Sequence, residues 1–238
     1  MAVDLAQKAQ NFTNRGRQAL ETGKYDLAVD MLMEAVSAAP DVLETRKLLR
    51  AAQIANFRKN GGKTGFLAKL GFAAARQKIM GLVKKGDGAS AMAEAEKILC
   101  QNPLDPDNIE AAVKAAEVAG KADHAAITVE AAYECSNRDP SLLERVATYY
   151  TMAKRWDKVR DAYRKLSELK PGDQRVLAML KNAEAQATMN AGWTDTVGKK
   201  GGFQNLIANK EQAAKLDAAN KAVVTGYDAR MLIQEKPK

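Results

Sequence analysis

GKYDLA (23–28), GDGASA (86–91), GKADHA (120–125) and KRWDKV (154–159) are four versions of one short pattern. Each begins at a position where the chain must turn and reaches a small or slim residue five places later: Ala28, Ala91, Ala125 and Val159. From Gly86 to Gly120 to Lys154 the step is 34 residues each time, whereas from Gly23 to Gly86 it is 63, one period plus 29. A fixed period of this length is the mark of stacked helical hairpins, where each unit can bury its apolar face only against its neighbours.

Working outward from those turns gives four copies: Ala9–Val42, Phe72–Asp105, Pro106–Asp139 and Pro140–Asp173. In the first, Phe12, Gly16 and Ala19 form the inward stripe of one helix, and Tyr25, Ala28, Leu32, Ala35 and Val36 that of the next. In the last, Leu143, Val146, Ala147 and Tyr150 precede Trp156, Val159, Tyr163 and Leu166. Spacings of three and four residues are those of an amphipathic helix. Glycine suits the exit from the first helix because a left-handed residue costs it little. Proline closes a unit because the residue before it avoids the helical region.

The pattern resembles the tetratricopeptide repeat family over these four copies, with Phe12, Ala75, Ile109 and Leu143 where the family usually has tryptophan and Lys154 in place of the turn glycine. Taken with the periodicity, the resemblance predicts an all-α fold, a right-handed α-solenoid of helical hairpins. An N-terminal hairpin (1–42) is followed by a basic insert (43–71) with one odd helix near Asp41–Asn60, then three contiguous repeats (72–173). A capping helix (174–190) and a Gly/Lys loop with a final helix near Gln204–Val224 (191–238) complete the chain. The family also implies a groove lined by the first helices. Its positions here are Arg76, Met80 and Lys84, then Asp107, Glu110, Lys114 and Glu117, then Glu144, Thr148 and Met152. Glu110 and Glu144 stand where relatives that clamp a C-terminal carboxylate carry other side chains, so that mode of binding is not expected.

Charge is unevenly spread. The net charge is +8. Residues 43–85 hold eleven basic side chains and one acidic, +10, while residues 86–139 hold four basic and eleven acidic, −7. The basic set is Arg46, Lys47, Arg50, Arg58, Lys59, Lys63, Lys69, Arg76, Lys78, Lys84 and Lys85. Such clustering is a footprint for phosphate backbones or acidic surfaces. RNA or a ribosome is therefore the alternative partner to a protein. Single-strand binders interleave aromatic residues for stacking, and only Phe57, Phe66 and Phe72 are available.

Several classes are set aside. No window reaches the roughly 20 apolar residues that span a bilayer, and Met1–Phe12 does not read as a secretory signal, so a cytoplasmic protein is expected. On a helical wheel Gly65–Lys85 spreads its apolar residues around the axis, which fits a helix held between solenoid neighbours better than one lying in a lipid interface. Gly62-Lys63-Thr64 ends like a phosphate-binding loop, but residue 57, where the motif needs glycine, is Phe57. Cys100 and Cys135 read as small, partly buried helical residues. His124, the sole histidine, reads as a solvated turn residue. No catalytic constellation, metal site, cofactor site or small-molecule substrate is expected.

Overall fold

The computed structural model describes residues 2–196, and all ten elements among them are α-helices. They are α1 (Ala2–Glu21), α2 (Tyr25–Ala38), α3 (Leu43–Lys59), α4 (Phe66–Lys84), α5 (Gly88–Gln101), α6 (Pro106–Val118), α7 (Ala122–Cys135), α8 (Pro140–Met152), α9 (Trp156–Leu169) and α10 (Gln174–Thr196). The chain divides into two compact units, Met1–Glu184 and Ala185–Lys238. Of the second, the described part is the continuation of α10 to Thr196. The loop at Gly198–Gly202 and the helix expected near Gln204–Val224 lie outside the described residues.

The period is written in the backbone. Gly23, Gly86 and Gly120 have φ of 71°, 75° and 67°, and Lys154 takes the same left-handed turn at 57° without being glycine. Helix starts are fixed by side chains. The carboxylates of Asp87, Asp105 and Asp139 accept hydrogen bonds from the amides of Ser90, Asp107 and Ser141 at 2.9–3.0 Å. Pro106 and Pro140 occupy the first turns of α6 and α8, where no intrahelical N–H is needed. The hairpins α1–α2, α4–α5, α6–α7 and α8–α9 follow, each packing on the next within its array.

The break in the period has a structural meaning that spacing alone does not convey. Helix α3 packs on α1 and α2 and then against α5 and α7, the second helices of two later hairpins. The stack resumes at α4, which packs on α5 and α6. Residues 66–84 form α4, which packs against two solenoid neighbours, with Phe72 and Ile79 buried in the core they share. The interruption draws α3 across to α5 and α7, and α4 begins a new stack.

Two apolar cores result. One joins Ala19, Ala28, Val29, Leu32, Val36, Leu49 and Ala52 of α1–α3. The larger runs from Phe72 and Ile79 of α4, through Leu99, Val113, Val129, Leu143, Val146 and Leu166, to Val176 and Ala183 of α10. Each fully buried Leu, Ile or Val contributes about 1.5–3 kcal/mol relative to exposure. The expected end of the capping helix at residue 190 is corrected: α10 continues through Gly192 to Thr196. One interior glycine costs a helix only about 1 kcal/mol.

Candidate functional site

The basic segment does not form one exposed patch. Arg46 and Arg50 lie on α3 at positions that turn toward α5 and α7, and both are buried, with 4% and 5% exposure. This corrects their assignment to a phosphate-binding surface. The sequence hid the reason, because their partner is Glu96 of α5, itself 5% exposed. Arg46 Nη1 donates to Glu96 Oε1 at 2.6 Å, and Arg50 donates to both carboxylate oxygens at 2.6 and 2.8 Å. Gln53 Oε1 accepts from Arg50 at 2.8 Å, and the Arg46 Nε donates to the Pro40 carbonyl at 3.0 Å. A polar layer therefore joins α3 to α5.

Its electrostatics follow from burial. Desolvation opposes the Glu96 carboxylate, but the Arg50 and Arg46 guanidiniums outweigh it and hold its pKa at about 2. Burial likewise opposes the Arg50 cation, yet Glu96 outweighs it and raises its pKa. For Arg46 burial prevails, and its pKa is lowered. Buried ion pairs gain little over apolar packing but cost several kcal/mol to break, since one charge is then stranded.

The other basic residues are dispersed. Lys47 and Arg76 are half-buried, and Arg58, Lys59, Lys63, Lys78, Lys84 and Lys85 are exposed. Lys59 Nζ donates to the Gly23 carbonyl at 3.2 Å and sits over the Tyr25 ring. Lys78 pairs with Glu94 at 3.1 Å. The Lys69 side chain lies outside the described part.

The expected groove residues form a different pattern. They lie on α4, α6 and α8, the first helices of three successive hairpins, and most are linked from one helix to the next. Arg76 donates to Asn108 Oδ1 at 2.9 Å and pairs with Asp105 and Asp107 at 3.3 and 3.7 Å. Glu110 pairs with Arg145 at 2.8 Å and with Lys114 at 3.8 Å. Glu117 accepts from the Tyr149 hydroxyl at 2.6 Å, and Glu144 pairs with Lys170 at 2.7 Å. The Thr148 hydroxyl donates to its own helix at the Glu144 carbonyl. Met152 is 62% exposed, and Lys84 is exposed without an ion partner among the described residues. A shallow depression of about 520 Å³ runs along α4 past Arg76, Met80 and Lys84.

His124 is a further correction. It stands in the first turn of α7 and is buried, with 5% exposure. Burial, then the nearby Arg46 cation, pushes its pKa down to about 4, so the ring is neutral near pH 7. Its Nδ1 is buried without a hydrogen-bond partner. Among the described residues no cluster of three His, Cys, Asp or Glu side chains could hold a metal ion, and no helix is long and apolar enough to cross a membrane.

No protein-family model and no curated protein matches this chain. Among solved structures it is similar to a crystal structure of the MamA protein, at 14% identity and a TM-score of 0.35, over 88% of this chain and 95% of that one. It is also similar to a mutant form of MamA, at 18% identity and a TM-score of 0.35, over 73% of this chain and 98% of that one.

Proposed function

We propose that the chain is a non-enzymatic interaction scaffold that takes an extended segment or helix of a partner protein along α4, α6 and α8. The observation that carries this reading is the run of cross-helix pairs Arg76–Asp107, Glu110–Arg145 and Glu117–Tyr149, which turns three separate helices into one ordered, partly exposed polar face. Its ends differ: Lys84 offers an exposed cation with no ion partner among the described residues, and Met152 an exposed, adaptable apolar side chain. A partner with an acidic end and an apolar end fits that polarity. Because the central charges are already paired, they contribute register and specificity more than raw affinity.

RNA or ribosome contact through residues 46–85 draws less support, because Arg46 and Arg50 are committed to Glu96 and the remaining cations are dispersed. Proximity labelling from a photo-crosslinker at Met152, with and without nuclease, tests both readings. Nuclease-resistant crosslinks to one protein, lost when the crosslinker-bearing chain also carries Lys84→Glu with unchanged helicity, are expected. Crosslinks that vanish with nuclease overturn the scaffold reading.

A further inference from the structure

A cleft of about 790 Å³ opens beside the Arg–Glu layer, between α2, the start of α5 and the α6–α7 turn. Its walls include Met33, Val36, Met92 and Val118, and Arg46 and His124 also line it. None of these residues belongs to the face along α4, α6 and α8.

The charge balance around the cleft is incomplete. Two buried guanidiniums, Arg46 and Arg50, share the single carboxylate of Glu96. Buried charges in proteins are normally paired, so this cluster carries one positive charge in excess. The nearby carboxylates are engaged elsewhere, although the Asp41 charge also reaches Arg46 and His124. Asp41 pairs with Lys121 at 2.7 Å, and Asp87 caps the Ser90 amide at 3.0 Å. Arg50 has its donors engaged by Glu96, Gln53 and Thr128, whereas Arg46 donates through Nη1 and Nε and its Nη2 has no partner among the described residues. His124, 5% exposed, adds a buried Nδ1 without a partner among the described residues. Buried polar atoms without a partner are uncommon and call for an explanation.

We propose that this cleft binds a small organic carboxylate, its anionic head on Arg46 beside His124 and its aliphatic body against Met33, Val36, Met92 and Val118. A single negative charge matches the single excess positive charge. Guanidinium forks suit the planar carboxylate. Four apolar side chains at the walls favour a ligand with a hydrocarbon portion over a bare inorganic ion. The proposal stands apart from the scaffold reading, since neither site uses the other's residues.

The chain has one histidine, so its imidazole gives a single reporter in the proton NMR spectrum. The full chain is titrated with hexanoate, with hexanamide as the neutral match and inorganic phosphate as the anion without an apolar body. A saturable shift of the His124 resonances by hexanoate, with at least about tenfold weaker responses to the other two, is expected; tenfold corresponds to losing one good interaction. Val118→Glu, at a side chain 40% exposed on the cleft wall, should weaken hexanoate about tenfold while leaving the helical spectrum unchanged. Absence of a saturable shift, equal response to hexanamide or phosphate, or unaltered hexanoate binding by a folded Val118→Glu protein overturns the proposal. Photolabelling at Met152 is a separate readout, so the two sites fail or succeed independently.

Discussion

Arg50 and Glu96 meet side by side at 2.6 and 2.8 Å, although 46 residues separate them, and both are withdrawn from solvent. This pair, with Arg46, is where the N-terminal three helices are held to α5. Glu96→Gln leaves two guanidiniums buried without a counter-charge and should cost about 3–5 kcal/mol. Urea unfolding followed by circular dichroism measures it. Replacing Arg46, Arg50 and Glu96 together by apolar residues should recover most of the loss, because no stranded charge then remains. A Glu96→Gln loss below about 1 kcal/mol would contradict the role given to this layer.

Acid should loosen the same region in two stages of one sign. The His124 ring titrates at 6.5 when free and at about 4 in the fold, so the unfolded chain takes up the proton first. The associated stability is whole above pH 6.5 and is lost as pH falls toward 4, at no more than about 1.4 kcal/mol per pH unit. Glu96, held at about 2 against 4.5, adds a further loss as pH falls from 4.5 toward 2. Urea midpoints at pH 7.5 and 5 should differ in the native sequence, and the difference should shrink in a His124→Gln variant.

The turn at residue 154 is filled at a cost. Lys154 holds a φ of 57°, where the other three turns use glycine. Lys154→Gly removes about 1–2 kcal/mol of left-handed strain. It returns part of that through a freer unfolded chain, leaving a net gain of about 0.5–1 kcal/mol. Gly120→Ala should cost a similar amount. A thermal melt that falls for Lys154→Gly would show the lysine side chain to be holding the turn in some other way.

Close approach distinguishes two helical glycines. A Cβ at Gly88 would lie 2.4 Å from the Ala119 amide nitrogen, so α5 would have to back away from the α6–α7 turn. At Gly16 it would lie 2.6 Å from Leu32 Cγ, a side chain with some room to turn. Overpacking costs about 1–3 kcal/mol, and Gly88→Ala should fall at the upper end with Gly16→Ala below it. Chemical denaturation of the two variants ranks them, and the reverse order would place the tighter contact in α1.

The turn positions could be read in sequence because they repeat: Gly23, Gly86 and Gly120 mark themselves by spacing, and Leu32, Val146 and Leu166 by helical period. The path of α3 could not be read this way. Only Leu49 and Ala52 of its apolar residues are buried, and its inward side also carries Arg46, Arg50 and Gln53, which look like solvent residues until Glu96 is brought to them. Lone charges pair across long stretches of chain, and periodicity holds no trace of that. The burial of His124 was hidden for the same reason, since Asp41 and Arg46, which crowd it, are 78 or more residues away in the chain. The helix-to-helix pairs at Glu110 and Glu117 left a faint sign, as Arg145 and Tyr149 recur one repeat later at offsets of 35 and 32.

The detour of α3 also bears on the order in which the chain takes shape. Hairpins that touch only their successors can form from local contacts, and chains rich in local contacts fold quickly. The reach from Arg50 to Thr128 spans 78 residues and needs α5 and α7 already in place. Docking of α3 on α5 and α7 is therefore a long-range closure in an otherwise neighbour-by-neighbour set of packings among the described helices. A slower step, in which α3 docks after the α4–α9 stack has formed, is the expected result in stopped-flow refolding.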